Sequence, residues 1–323
     1  MADGTARDLG EFGLIDTVVQ RLRSGPQALL GPGDDAALVA APDGRVVATT
    51  DVLVEGVHFR RDWSSAYDVG RRAAAANLAD VAAMGGRGTA LLVGLAAPGD
   101  LPAEWATGLA DGLRDEAALV GAAVVGGDTV RSDRLVVAVT ALGDLAGRAP
   151  VLRGGARPGD VVVLAGRWGE AHAGLLLLER GDPALLARFA DLVACFRRPA
   201  PPYELGPALA DLGARALCDV SDGLAGDLGH LLAASGVGAD LDLPPLPDRV
   251  TEALHALGVD PGPFALVTGG DDHGLLACVP PDRLAPVLAL GARRLGTCTS
   301  ARGLRAGGRD VAPRAHEHWG GGS

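Results

Sequence analysis

The chain contains no lysine. Its 29 basic residues are all arginine, against 40 aspartates and glutamates. A Walker-A phosphate loop requires its lysine, a pyridoxal enzyme its Schiff-base lysine, and a protein kinase its strand lysine. Arginine stays protonated and cannot serve as the missing nucleophile. Compositional drift toward Ala, Gly and Arg accounts for the gap, but the exclusions hold whatever its origin. Aromatic residues make up only 3%, so any core must be built from Ala, Val and Leu. Cysteine is scarce too: Cys195, Cys218, Cys278 and Cys298 show no C-x-x-C spacing. They read as reduced, mostly buried thiols of a cytoplasmic protein. The first residues carry no apolar segment of the signal-peptide kind. No apolar run reaches the roughly 18 residues of a membrane helix, so no membrane partner is expected. A net charge of −11 speaks against a nucleic-acid partner, which calls for a basic face.

What is present is apolar and glycine-rich. The hydrophobic fraction of 48% indicates a globular chain with a real core, and 48 glycines in 323 residues are about twice the usual share. That excess implies many tight turns or close backbone approaches. The length suits two domains better than one.

Periodicity places helices over 11–23, 67–84 and 102–120, and strands over 45–54, 88–96, 122–126 and 134–143. Gly126-Gly127-Asp128-Thr129 is expected in a loop between the last two strands. The segment 147–159, rich in Gly, Pro and Arg, has no period and reads as a domain linker. Beyond it the pattern restarts, with strands at 160–165 and 215–219 and helices near 170–179, 184–197, 203–213 and 223–235. Residues 300–323 are expected to be irregular. Both halves read as α/β.

The acids gather at element ends. Gly31-Pro32-Gly33-Asp34-Asp35-Ala36 mimics a dinucleotide fingerprint, but Pro42-Asp43-Gly44 follows before a helix can form, so it reads better as a turn presenting a carboxylate. Thr49-Thr50-Asp51 closes a strand with hard oxygen donors of the kind Mg²⁺ prefers. Asn77 and Asp80 share one helix face with few other polar groups, where a carboxylate needs a partner. Gly127 and Asp128 combine close backbone approach with a carboxylate. Asp219-Val220-Ser221-Asp222-Gly223 precedes a helix; its Ser or Asp serves either as a cap or as a ligand. Each cluster also has a plain structural reading. Were the five to converge without a cation, mutual repulsion would raise their pKa values. Several Mg²⁺ ions bridging phosphates satisfy them together, and phosphoryl transfer is the chemistry such a site performs. Gly166-Arg167-Trp168-Gly169, between a strand and a helix, is a second candidate phosphate contact, or simply a turn.

Six motifs then fall in order along nearly the whole chain: Gly10–Ile15, Gly33-Asp34-Asp35, Thr49–Phe59, Asn77–Gly85, Gly126–Thr129 with Gly147-Arg148-Ala149, and Asp219–Leu224. In these the chain resembles the thiamine-monophosphate kinase family, of the superfamily that includes aminoimidazole ribonucleotide synthetase. The resemblance implies an α/β (α+β) fold of two domains. Residues 1–148 would form the N-terminal ATP- and Mg-binding domain, whose sheet dimerises into a barrel, and 149–323 a C-terminal α/β domain. It implies ATP-dependent phosphorylation of thiamine monophosphate to thiamine diphosphate by direct in-line transfer, assisted by several Mg²⁺ ions, in a homodimer. Carried over by motif, Asp35, Thr49, Thr50, Asp51, Asp80, Asp128, Asp219 and Asp222 are metal ligands. Gly127, Asp128, Arg148 and Ser221 contact ATP, and His58, Asp271 and Trp319 contact substrate. No side chain serves as base or nucleophile.

The chain also departs from the pattern. Gly269-Gly270-Asp271-Asp272-His273 stands where the family has Gly-Gly-Glu-Asp-Tyr, so Asp271 is one methylene short. Pro313 falls at the family's tail Trp, and Trp319 is the candidate replacement. These departures keep a non-catalytic nucleotide-binding protein in view as an alternative. Another ATP-using member of the superfamily is the second alternative, although the reactive cysteines and N-terminal lysines of those members are missing here.

Overall fold

The computed structural model describes residues 5–31, 37–261 and 269–311. It divides into two compact units, Met1–Val81 with Gly86–Gly147, and Ala82–Gly85 with Arg148–Ser323.

The first unit opens on α1 (Ala6–Val19). Thr5 and Asp8 form a reciprocal capping box, with the Thr5 N–H donating to Asp8 at 2.8 Å. This cap starts the helix five residues before the expected Glu11, and Gly10, at φ 68°, kinks it. A small antiparallel pair follows, β1 (Ala28–Leu30) and β2 (Leu38–Val39). Then come β3 (Val47–Val54), α2 (Ala66–Ala83), β4 (Arg87–Ala97), α3 (Ala103–Ala118), β5 (Ala123–Arg131) and β6 (Val136–Asp144). The four long strands form one sheet in the order β3-β6-β4-β5. Only β4 and β5 are parallel, because α3 carries the crossover that parallel strands require.

α2 and α3 meet through reciprocal glycines. A Cβ on Gly70 would lie 2.2 Å from the Leu109 carbonyl oxygen, and one on Gly112 would lie 2.1 Å from that of Tyr67. The helix backbones therefore touch, and Arg71 pairs with the wholly buried Glu116 across the same contact. The sheet's two faces differ. On β3, Thr49, Asp51 and Leu53 alternate with the more exposed Ala48, Thr50 and Val52. In register with this second set lie Thr140 and Leu92, so one face of the sheet remains open.

Gly126–Thr129 lie inside β5 rather than in the expected loop. They pair with Leu92, Val93, Gly94 and Leu95 of β4. The reason is visible at Gly127, where a Cβ would fall 2.0 Å from the Val93 carbonyl oxygen. The glycines that read as a turn are the means by which two strands approach.

The second unit contains β7 (Val161–Ala165), α4 (Glu170–Arg180), α5 (Pro183–Arg188), α6 (Ala190–Arg197), α7 (Leu205–Asp211), β8 (Ala216–Val220), α8 (Leu224–Ser235), β9 (Gly238–Leu241), α9 (Asp248–Leu257), β10 (Gly274–Val279), α10 (Leu284–Ala289), β11 (Arg293–Thr299), β12 (Gly303–Ala306) and β13 (Arg309–Val311). Its seven strands run β13-β12-β9-β11-β7-β10-β8. Strands β7 and β10 and the edge strand β8 are buried throughout, and their largely apolar sequences are those a covered sheet demands. The helix expected over 184–197 is two helices. Phe189 breaks it with non-helical torsions, is fully buried, and is covered by the guanidinium groups of Arg188 and Arg249. In the segment 300–323, expected to be irregular, the described residues form the β12–β13 hairpin through Gly307-Gly308, and 312–323 lie outside them. Cys218, Cys278 and Cys298 are buried and all four cysteines are free thiols. Cys278 and Cys298 lie 3.5 Å apart, although β7 runs between their strands.

The glycine contact gives a stability prediction. Helix propensity alone would favour Gly112→Ala by about 1 kcal/mol. Overpacking against immovable backbone costs about 1–3 kcal/mol, so the net effect is destabilising. A lowered urea midpoint is expected, and an unchanged or raised midpoint would show that the helices do not pack this closely.

Candidate functional site

In the first unit the acidic residues are set by ties between β3 and α2. The Thr49 hydroxyl donates to Asp80 at 2.7 Å, and the Asp51 N–H donates to the Asn77 side-chain oxygen at 3.0 Å. Asn77 is buried and anchors itself by donating to the Ala73 carbonyl at 2.9 Å. The polar pair that the helix pattern singles out thus clamps the middle of β3; Thr49-Thr50-Asp51 does not close the strand as expected, because its pairing with β6 runs on to Val54. Thr49, Asp51 and Asp80 form one group of hard oxygens.

Two other candidates stand apart from that group. Thr50 points to the opposite face by strand alternation, and its hydroxyl donates to the Val139 carbonyl at 3.0 Å. Asp128 pairs with Gly94, Gly94 with Ala138, and Ala138 with Val52. Asp128 therefore lies at the far edge of the sheet, three strand spacings or roughly 14 Å from β3. It is exposed there and accepts the Thr129 N–H at 2.8 Å. Among the described residues, no three His, Cys, Asp or Glu side chains gather into a ready-made metal cage.

His58 sits in the turn after β3. Phe59 beside it is buried and stacks on Trp105 of α3, with ring centroids 6.4 Å apart. The Val54 N–H donates to His58 Nδ1 at 3.1 Å. Nδ1 being the acceptor, Nε2 carries the proton and is the ring's donor. Next to this turn Glu55, Gly56, Arg60, Arg61 and Asp62 line an open cleft of about 490 Å³. Arg61 pairs with Glu55 at 2.5 Å and Arg60 with Asp62 at 2.6 Å, and Arg60 also lies over the Trp63 ring. The sequence reading singled out His58 here and passed over these arginines, which look like ordinary surface charges.

In the second unit the acids lie at the end of β8. Asp219 is buried and lies 3.1 Å from His273 Nδ1. The loop 269–273 docks on the same strand end: the Asp271 N–H donates to the Ser221 carbonyl at 2.9 Å and the His273 N–H to that of Val220 at 3.0 Å. A Cβ on Gly270 would fall 2.0 Å from the Ser221 carbonyl oxygen. Asp271 and His273 both take positive φ, 70° and 49°, a conformation that costs free energy in residues with side chains.

Asp272 points the other way, into the start of α4. It is buried, accepts the Ala171 N–H at 2.8 Å and also the Gly169 N–H. Glu170 accepts the Trp168 N–H. The start of α4 is therefore filled by the chain's own carboxylates, which favours the plain turn over a phosphate contact among the two readings of Gly166–Gly169. Burial, reinforced by the nearby Glu170, pushes Asp272 up to about 6. His172, the next position on α4, has its side-chain carbons 2.4–2.8 Å from where a Gly269 Cβ would stand. Burial lowers its pKa, opposed by the neighbouring Asp271.

Asp227, in the first turn of α8, is an acid the sequence reading did not single out. It is buried, and its Oδ2 accepts the N–H groups of both Ser221 and Asp222 at 3.1 Å. Burial, then the neighbouring Asp219 and Asp222, raise it to about 7. In the sequence it is indistinguishable from a first-turn acid facing the helix dipole. Arg148 makes a two-pronged pair with Asp211, at 2.7 and 2.8 Å. Asp34, Asp35, Pro313 and Trp319 lie outside the described residues.

Comparison with known proteins defines the class first. Residues 33–145 match the AIR synthase related protein N-terminal domain, and 157–300 its C-terminal domain. The chain is 50% identical over 277 residues to the thiamine-monophosphate kinase of Mycobacterium tuberculosis, covering 85% of this chain and 82% of that one. With the Corynebacterium glutamicum enzyme of the same name it shares 39% over 309 residues, 94% and 90% of the two chains. The crystal structure of thiamine-monophosphate kinase from Stenotrophomonas maltophilia superposes with a TM-score of 0.81 at 34% identity, over 92% of this chain and 96% of that one. The AaThiL complex with AMPPCP and TMP superposes at 0.80 and 31%, over 97% and 98%. The chain belongs to the thiamine-monophosphate kinase family of the AIR synthase related proteins. Hydrogenase maturation protein HypE, at 20% identity and a TM-score of 0.74, shares the fold.

The raised Asp227 gives a pH prediction. Its folded value near 7 lies above the ordinary 3.8, so the folded chain holds a proton that the unfolded chain has released, and stability from this group falls as pH rises between them. Near pH 5 Asp227→Asn mimics the protonated side chain. Near pH 8 the wild type carries a buried charge that the variant lacks. The stability of Asp227→Asn relative to wild type, from urea unfolding without metal, should increase from pH 5 to 8; a constant difference would contradict the raised value.

Proposed function

We propose that this chain transfers the γ-phosphoryl group of ATP to thiamine monophosphate, giving thiamine diphosphate and ADP, with Mg²⁺. The observation that carries the reading is the kinase relative at 50% identity over most of the chain. The geometry supports it, since oxygen-bearing side chains are held in the middle of β3 and at the end of β8 by backbone and side-chain bonds. The acceptor phosphate is a monoester already largely ionised near neutral pH. One of its oxygens forms the new bond to the γ-phosphorus as the bond to the ADP oxygen breaks, and no base has to take a proton. The histidines agree with this. His58 Nδ1 accepts the Val54 N–H, and His273 Nδ1 faces Asp219.

The donor chemistry fits Mg²⁺. Carboxylates and a hydroxyl are hard ligands, and Mg²⁺ takes one or two carboxylates and fills its shell with water and phosphate oxygens. Thr49, Asp51, Asp80, Asp219 and Asp222 would hold the ions, joined on the strength of their motifs by Asp35, Thr50 and Asp128. Bound Mg²⁺ would neutralise charge developing on the transferred group. Gly127, Asp128, Arg148 and Ser221 take the nucleotide. His58 donates to the substrate through Nε2, with Asp271 and Trp319 completing that contact. The open face of the first unit's sheet, with Val52 46% and Val130 61% exposed, supports a homodimer in which two such sheets cover each other. The four free thiols suit the reducing cytoplasm.

The test is incubation with ATP, Mg²⁺ and thiamine monophosphate, followed by chromatography for thiamine diphosphate. Wild type should form it, and Asp51→Ala and Asp128→Ala should lose turnover with unchanged circular dichroism. Near-normal turnover in either variant would reject the metal assignment. ATP bound by wild type without product would favour a nucleotide-binding protein.

A further inference from the structure

We propose that Asp227 is the positioning residue of the acidic segment 219–222, holding its backbone without touching metal or nucleotide itself. The inference rests on the function proposed above for what that segment does, but the geometry stands by itself. β8 ends at Val220 and α8 begins at Leu224. The intervening N–H groups of Ser221 and Asp222 have neither ladder nor helix to pair with, and buried N–H groups must be paired. Both donate at 3.1 Å to the same oxygen of Asp227. The carbonyls of Val220 and Ser221 are taken by the N–H groups of His273 and Asp271. One side of the segment is thus held by a side chain and the other by the 269–273 loop. With the backbone committed in both directions, the side chains of Ser221 and Asp222 are what the segment has to offer a ligand.

A buried acid beside Asp219 and Asp222 is an expensive way to supply an acceptor. A ligand role for Asp227 would account for that expense as well, and substitution separates the two roles. Since a single oxygen receives both bonds, Asp227→Asn keeps the acceptor and loses the charge. Asp227→Glu keeps the charge and displaces the acceptor by a methylene. A positioning role ranks Asn above Glu; a ligand role ranks Glu above Asn.

The experiment measures affinity for Mg²⁺ with a non-hydrolysable ATP analogue, by calorimetry, together with KM for ATP, KM for thiamine monophosphate and amide hydrogen exchange at Ser221 and Asp222. Asp227→Ala should weaken nucleotide binding by about tenfold or more, leave KM for thiamine monophosphate nearly unchanged, and speed exchange at both amides. Asp227→Asn should restore affinity and protection, and Asp227→Glu should not. If Glu restores affinity and Asn does not, or if the Ala variant matches wild type, the proposal is overturned. Should Asp227→Ala fail to fold, the Asn and Glu variants still decide. If wild type neither binds the nucleotide nor makes product, the functional reading fails, while the exchange rates still judge the positioning role.

Discussion

Buried backbone N–H groups must find acceptors, and in this chain the acid-bearing middle of β3 and the loops around the second unit's acids find them in buried side chains. Asn77 receives the Asp51 N–H, Asp227 those of Ser221 and Asp222, and Asp272 those of Gly169 and Ala171. Each acceptor sits on or against a helix whose apolar face is packed in its unit's core. The core therefore fixes the acceptor, the acceptor fixes the segment, and the segment presents oxygens. In the second unit two of these acceptors are carboxylates kept partly protonated by burial. The unit accepts that electrostatic cost in exchange for defined loops.

The same accounting explains the chain's glycines. Gly127 lets β5 lie against β4, Gly270 lets the 269–273 loop lie on Ser221, and Gly70 with Gly112 lets two helices touch. Their shared property is the absence of a Cβ where a carbonyl oxygen already stands. Glycine surplus and aromatic shortage thus belong together, since a core of Ala, Val and Leu packs its elements at short distances and leaves little room for rings.

Much of this was legible in the sequence. The strand and helix alternation, the pairing of Asn77 with Asp80 on one helix face, and the order of the acidic motifs all followed from local pattern. What local pattern missed has tertiary causes. Gly126–Thr129 read as a loop because paired glycines usually mark turns, while the parallel pairing with β4 overrides that preference. Gly166–Gly169 stayed open between a phosphate contact and a turn because nothing local reveals that Asp272, over a hundred positions later, caps it. Asp227 passed as a helix-start acid, and only the fold shows which N–H groups it receives. Phe189 broke an expected helix because burial between two arginines outweighed helical period.

Lysine is missing from the whole chain. The proposed chemistry is direct transfer between two phosphates, in which Mg²⁺ and arginine would carry the charge. The stereochemical course at phosphorus tests it most directly. With ATP made chiral at the γ-phosphorus by oxygen isotopes, a single in-line displacement inverts configuration in the thiamine diphosphate formed. Inversion is the predicted result. Retention would require a phosphorylated side chain as intermediate, and would contradict the account.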